Sequence, residues 1–377
     1  MKKVGFRAII GCLITLSCCA VLALPHALAA PGPAVEAYVG GVELNAATPY
    51  WRNGDPAASA SVPSGGWNAY FDAATSTLKL QNIEITDLTF LQSSTTEKSC
   101  IEIYGNVTLE LMGDNELRFV GNPAAGPAYA YGIFVEGSIT VRGSGSLSMA
   151  LQSDYDVIGM FTLYGISFYG GSITMRHQAD WSMGIWANGS DVLIDGTQID
   201  IGVSGASSIG AYVDTLTLKS GKLIVDAEAD GPFAYGVLAH IVSLQGGTLD
   251  ADASGAADAI GFLYEDGELE ASGGQFVMSG STAAISSGKS GEDLQAPAAG
   301  MQVFVSYARD GSGKTRWVSP ADGDLAYSGG AETFRFVEFQ PVAPQTDDEH
   351  TPGFWVGVAL IALIVGIMLG GYTRKKR

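Results

Sequence analysis

Cysteine is nearly missing from the working part of this chain. Four occur in 377 residues, and Cys12, Cys18 and Cys19 fall in an N-terminal segment that reads as a leader. Cys100 alone remains, which excludes an intramolecular disulfide framework and leaves stability to a packed core. Histidine is scarce as well. Of four, His26 lies in the leader and His350 near the C-terminus, so only His177 and His240 stand between. No His/Cys cluster has zinc spacing. Positive charge is the third shortage. Setting aside Lys2, Lys3 and Arg7 and the tail 374–377 leaves 13 of the 20 basic residues against all 39 acidic ones, about −26 for the region between. Such a surface repels nucleic acid and anionic lipid. It suits an extracellular domain or one that binds cations.

Long apolar runs occur only at the two ends. The basic residues Lys2, Lys3 and Arg7 precede an apolar stretch from Ala8 to Ala23, and Ala27-Leu28-Ala29 is a small-x-small site. This predicts a secretory signal peptide over 1–29. A lipoprotein signal at Leu16-Ser17-Cys18-Cys19 is the alternative. Residues 354–373 form an uncharged run followed by Arg374-Lys375-Lys376-Arg377. That predicts one transmembrane helix with a cytoplasmic basic tail over 374–377.

What is abundant is glycine, 50 residues, and it recurs in a pattern. Tyr131-Gly132-Ile133, Tyr164-Gly165-Ile166, Met183-Gly184-Ile185, Ile209-Gly210-Ala211, Tyr235-Gly236-Val237 and Ile260-Gly261-Phe262 space their glycines by 33, 19, 26, 26 and 25. Periods of 20 to 50 residues mark solenoids. Within a copy the alternation has period 2, as in Tyr131-Gly132-Ile133-Phe134-Val135-Glu136, and glycine or serine turns separate three short strands. The expected fold is all-β, a right-handed parallel β-helix over 96–300. Strand-like runs at 37–44, 67–71 and 77–85 predict an N-terminal β cap over 30–95, with Asp72–Ser76 as a loop. Runs at 301–307 and 331–339 predict a C-terminal β cap over 301–340, joined by a glycine-rich loop. Caps of this kind cover the terminal coils. Residues 341–353 read as an extended acidic stalk.

The segment from Tyr70-Phe71-Asp72-Ala73-Ala74 to Leu80-Gln81-Asn82, together with Ala343-Pro344-Gln345-Thr346, acidic residues, an apolar run and a basic tail, resembles Gram-positive cell-surface β-helix proteins with a sortase-type sorting signal. In that family the signal reads Leu-Pro-x-Thr-Gly. Here Ala343 replaces the leucine and Asp347 the glycine, so a retained membrane anchor is expected over covalent attachment to the cell wall. The resemblance implies adhesion or polysaccharide binding.

Aligning the copies on their glycines places Phe134, Ser167, Trp186, Tyr212, Leu238 and Leu263 in one outward column. Glu136, Tyr169, Asn188, Asp214, His240 and Glu265 fall in the next. Neighbouring rungs stack about 4.8 Å apart, so Trp186 and Tyr212 would offer flat rings beside Asn188 and Asp214. Sugar C–H faces stack on rings, and hydroxyls reach amides and carboxylates. The expected ligand wall therefore comprises Phe134, Tyr169, Trp186, Asn188, Tyr212, Asp214 and His240, with a host or envelope polysaccharide as partner. A structure burying Trp186 would remove stacking on it. The residues before the glycines, Tyr131, Tyr164 and Tyr235 among them, are expected to point inward.

Asp226 and Asp252 fall at equivalent positions in consecutive copies, where adjacent carboxylates repel. Calcium would relieve this, although a solvated acidic face explains the pattern without metal. Gly311-Ser312-Gly313-Lys314-Thr315 ends like a phosphate-binding loop, but Ala308 stands where its first glycine belongs and the context is strand to strand. Enzymatic β-helices are the main rival. Lys219 and Lys222 with Asp226 are the nearest basic and acidic grouping, without a recognisable catalytic motif. A lyase or hydrolase, and a structural or protein-binding spacer, stay open beside the binding reading.

Overall fold

The period of two in the sequence becomes strands with alternating burial. In Asp114–Val120, Asn115, Leu117 and Phe119 are buried while the residues between them are exposed. The structure is a computed structural model that describes residues 31–92, 94, 96–121, 129–187, 189–264, 269–287, 300–318 and 333–342. The expected signal peptide, most of the expected stalk, the expected transmembrane helix over 354–373 and the expected tail lie outside these residues. Among the described residues all regular elements are β-strands.

The strands stack in parallel as a β-solenoid of about six turns with three walls. The first wall contains Asp114–Val120, Ser146–Gln152, 172–179, 198–205, Lys222–Ala229, Thr248–Ser254 and Gln275–Gly280. The second contains Lys98–Ile103, Tyr129–Val135, Asp156–Thr162, 181–187, 207–213, 233–239, Asp258–Tyr264 and Ala283–Ser287. The third runs from Thr77–Gln81 through Val107–Met112, Ile139–Gly143, Ile166–Tyr169, Val192–Asp195, 215–218 and 241–244 to Leu269–Ala271. Parallel pairing brings like positions together. Leu117, Met149, Met175, Ile201, Val225, Ala251 and Met278 make one inward column of the first wall. Each such side chain, nearly or wholly buried, contributes about 1.5–3 kcal/mol when large. Cys100 sits in this core as a buried free thiol, and burial raises its pKa.

The repeating glycine turns out to be a bend inside the second wall. The register aligns Ile133, Met160, Ile185, Ala211, Val237 and Phe262, so the equivalent glycines are 132, 159, 184, 210, 236 and 261. Gly159 takes the place expected for Gly165, and the spacings become 27, 25, 26, 26 and 25. Gly165 is a turn residue with φ of 100°. The reason for glycine at the bend is close approach. A Cβ at Gly132 would lie 2.6 Å from the Gly159 carbonyl oxygen and 2.8 Å from Met149 Sδ.

Antiparallel strands cover part of each end of the sheet. The expected run 37–44 is a hairpin, Glu36–Val39 with Val42–Asn45, turned at Gly40 and Gly41, which have φ of 56° and 76°. Its first strand lies antiparallel on Lys98–Ile103. Ala69–Asp72 pairs with Thr77–Gln81 across the expected polar loop. At the other end Phe336–Pro341 lies antiparallel on Gln275–Gly280, Met301–Ser306 follows it, and Thr315–Trp317 adds a strand within the expected loop. Where they pair, these antiparallel strands stop further parallel stacking.

Candidate functional site

The bend changes what the second wall presents. Because the alternation breaks at each glycine, the residue before it and the residue two after it project to the same outer side. Tyr131 and Phe134 therefore meet at 5.2 Å between ring centroids. Of the column expected to point inward, Tyr131, Met183, Ile209, Tyr235 and Ile260 instead join Phe161, Trp186 and Leu238 in a second buried cluster, separate from the lumen core, with Ile158 in the place expected for Tyr164. Tyr164 is not part of it.

Trp186 and Tyr212 are rung neighbours as expected, 6.4 Å apart with rings inclined by 16°. Phe161 packs edge-on against Trp186 at 5.1 Å, and Phe161 stacks on Phe134 at 5.2 Å. Phe161, not Ser167, belongs in this column. Trp186 is only 4% exposed, which corrects the expectation of an open aromatic stripe. Phe134, Tyr212 and Leu263 are half-buried and Leu238 is buried. The indole N–H groups of Trp181 and Trp186 and the Ser182 hydroxyl have no hydrogen-bond partner among the described residues. The ring ladder is a packed seam with its faces already occupied. It starts at Glu102, which pairs in register with Phe134 and is buried. That carboxylate accepts the Gln92 backbone N–H at 2.8 Å and the Tyr104 hydroxyl, and burial raises its pKa.

Asp214 and His240 are adjacent, with Oδ1 and Nδ1 2.6 Å apart. Asn188 and Glu265 lie outside the described residues. Tyr169 sits on the third wall between Arg142 and Asp195, 45% exposed.

Asp226 and Asp252 are register partners, as their spacing implies. The protein supplies a cation of its own here. Arg309 donates from Nε to Asp252 Oδ1 at 3.0 Å and from Nη2 to Oδ2, and Ser279 also donates to Oδ1. Arg309 belongs to the hairpin loop that carries Gly311–Thr315. In that loop Lys314 bonds Glu338 at 2.6 Å and lies over the rings of Phe304 and Phe336. Burial, then the nearby Asp252 charge, raises the Asp226 carboxyl above its ordinary range.

The concave surface lies on the first wall. A groove of about 760 Å³ crosses its outward side chains. Its central column is Arg118, Ala150, Arg176, Gly202 and Asp226, five rungs spanning about 19 Å at the usual strand spacing. Large and small residues alternate, which makes the hollows. Arg176 lies across Gly202, where a Cβ would come 3.0 Å from Arg176 Cδ. From there it bonds Asp200 Oδ2 at 2.6 Å and the Asp200 carbonyl oxygen at 3.1 Å. Gln152, Gln178, Ser204 and Glu228 form the flanking column. A second recess continues round the corner past Asp154, Asp180 and Asp230. Beside it Asp156 has a carboxyl pushed up to about 6, first by burial and then by Asp180.

Comparison with protein-family models, characterised proteins and solved structures finds no match. The site therefore stands on its own chemistry. Carboxylates, amides, hydroxyls and two guanidinium groups line an open trough, a set suited to a polyhydroxylated chain. None of the groove's uncharged side chains was singled out by sequence reading. Their signal was the register of the first wall, which becomes readable once Gly159 replaces Gly165.

Proposed function

We propose that this chain is a bacterial cell-surface binding protein that holds a polysaccharide along the groove of the first wall. The observation that carries this reading is the groove, open across five coils and lined by hydrogen-bonding side chains. Sugar hydroxyls would pair with Gln152, Gln178, Ser204 and Glu228, which follow one another rung by rung. Concave sites with convergent polar groups are where ligands bind by default. The cell address rests on the sequence, through the leader, the apolar segment at 354–373 and the basic tail, with the resemblance to Gram-positive surface β-helix proteins beside them. A sugar platform on Trp186 is no part of the proposal, because that ring is enclosed.

The test is a polysaccharide panel probed with the detergent-solubilised full chain, alongside Gln152→Ala/Gln178→Ala. Binding to one polymer class, weakened about tenfold in the variant, is expected from the loss of two hydrogen bonds. Absence of binding across the panel, or a variant equal to the parent, would refute it.

A hydrolase is the second reading, favoured by one observation. The groove holds Asp226, whose carboxyl is raised, on the same wall as Asp200, which is paired to Arg176. Two carboxyl groups in different environments are what acid–base cleavage of a glycosidic bond uses. New reducing ends appearing with time on a bound polymer, and lost in Asp226→Asn, would establish it over simple binding.

A further inference from the structure

We infer that the groove takes its polymer in one direction, with an acidic substituent of the polymer seated beside Arg118. This rests on the groove being the polysaccharide site. The two ends of the central column differ in sign. Arg118 occupies one end, with Glu116 on the same exposed face beside it, Arg176 the middle rung and Asp226 the other end, with Arg309 beyond it already committed to Asp252. The two arginines are not equivalent. Arg176 is pinned, lying over Gly202 and bonded to Asp200. Arg118 is exposed and has no ion-pair partner among the described residues. Ala150 sits on the rung between them, so the backbone there is bare of any long side chain.

The result is a hollow one rung wide, floored by Ala150. An unused guanidinium stands on one side and a held one on the other. The planar fork of arginine matches a carboxylate, sulfate or phosphate with two parallel hydrogen bonds. An anion at the other end would meet the Asp226 carboxyl and Glu228, where like charge opposes it. The site thus favours an acidic sugar unit at Arg118 and hydroxyl-bearing units towards Glu228. In a region carrying about −26, Arg118 is a local exception, so its effect should fall on which polymer binds more than on how fast it arrives.

The experiment compares a polyuronate with the same polymer after carboxyl reduction, and with a sulfated polymer, by calorimetric titration of the full chain in detergent at fixed ionic strength. The variants are Arg118→Gln and Arg118→Lys. The acidic polymers should bind about tenfold or more tightly than the reduced one, as one charged bidentate contact implies. Arg118→Gln should abolish that ratio, and Arg118→Lys should keep part of it. The sulfated and uronate arms identify which anion the fork prefers. Equal binding of acidic and reduced polymers, or an unchanged ratio in Arg118→Gln, overturns the inference while leaving the groove as a sugar site. Failure of every polymer, or binding insensitive to Gln152→Ala/Gln178→Ala, overturns the groove reading and this inference with it.

Discussion

Replacing His177 by leucine should make the solenoid more stable, and increasingly so as the pH falls. His177 points into the lumen of the first wall, in one column with Leu151 and Val203, and is 3% exposed. Among the described residues neither ring nitrogen has a hydrogen-bond partner of good geometry. Burial pushes the imidazole from 6.5 down to about 4, so the folded chain holds it neutral. Between those two values the unfolded chain binds a proton that the folded chain does not, so stability is lost as pH falls through that window. A difference of 2.5 pH units corresponds to about 3 kcal/mol. At neutral pH the orphaned donor and acceptor cost a further ~1–3 kcal/mol, which leucine removes at similar volume. The comparison is urea unfolding of His177→Leu and parent from pH 4 to 8, with amide exchange at 149–151 and 201–203 to localise the effect. The variant should lead by about 1–3 kcal/mol at pH 7.5, and the lead should grow below pH 6.5. A lead that stays constant from pH 6.5 to 4, or a variant weaker throughout, refutes the reasoning.

Asp156→Asn should act with the opposite sign of pH dependence. The Asp156 carboxyl is raised from 3.8 to about 6, so the folded state holds the extra proton and stability falls as pH rises through that interval. The asparagine variant should gain at most about 3 kcal/mol at pH 7 and nothing near pH 3.5, read by thermal melting. Gly184→Ala should be among the most damaging single changes. Its Cβ would lie 2.5 Å from the Gly210 carbonyl oxygen, and neighbouring coils hold that backbone, so a loss of ~3 kcal/mol or more in melting is expected. Arg309→Ala should cost about 1 kcal/mol, given that the pair is part-exposed. It leaves Asp226 and Asp252 unrelieved, so millimolar calcium should raise the melting temperature of the variant but not of the parent, whose Asp252 oxygens are both engaged.

The solenoid was legible because two local signals agreed. Alternation of period two set the strands, and a glycine recurring every 25–27 residues set the coil. The register was harder to read, for a specific reason. Tyr164-Gly165-Ile166 copies the pattern Tyr131-Gly132-Ile133 more closely than Ile158-Gly159-Met160 does, yet the glycine that the next coil packs against is Gly159. A turn glycine and a packing glycine look alike in sequence. That confusion moved Tyr169 onto the wrong wall and hid Phe161. The bend also breaks parity, so counting by twos from Gly132 put Tyr131 inside. The groove was illegible for another reason. Its central residues (Arg118, Ala150, Arg176, Gly202, Asp226) mix two basic, two small and one acidic residue and are spaced by 32, 26, 26 and 24. The Asp226–Asp252 adjacency survived, because both lie in the well-aligned later coils. Arg309 comes from beyond the repeat and no spacing points to it.

The aromatic ladder bears directly on how binding should be tested. Trp186 is enclosed by Phe161 and Tyr212, and truncating a buried tryptophan to alanine costs about 3–5 kcal/mol. That is a large part of the ~5–15 kcal/mol that holds a typical domain together. Binding lost in Trp186→Ala would therefore report a damaged wall as readily as a missing sugar contact. Trp186→Phe separates the two. Phenylalanine keeps a ring between Phe161 and Tyr212 and removes an indole N–H that has no partner among the described residues, so the saved desolvation offsets lost packing and stability should change by less than about 1.5 kcal/mol. Polysaccharide affinity should then match the parent, while Gln152→Ala/Gln178→Ala loses it with the fold intact. A Trp186→Phe chain that melts like the parent yet loses its polysaccharide would place the ligand on the second wall and remove the groove from the account.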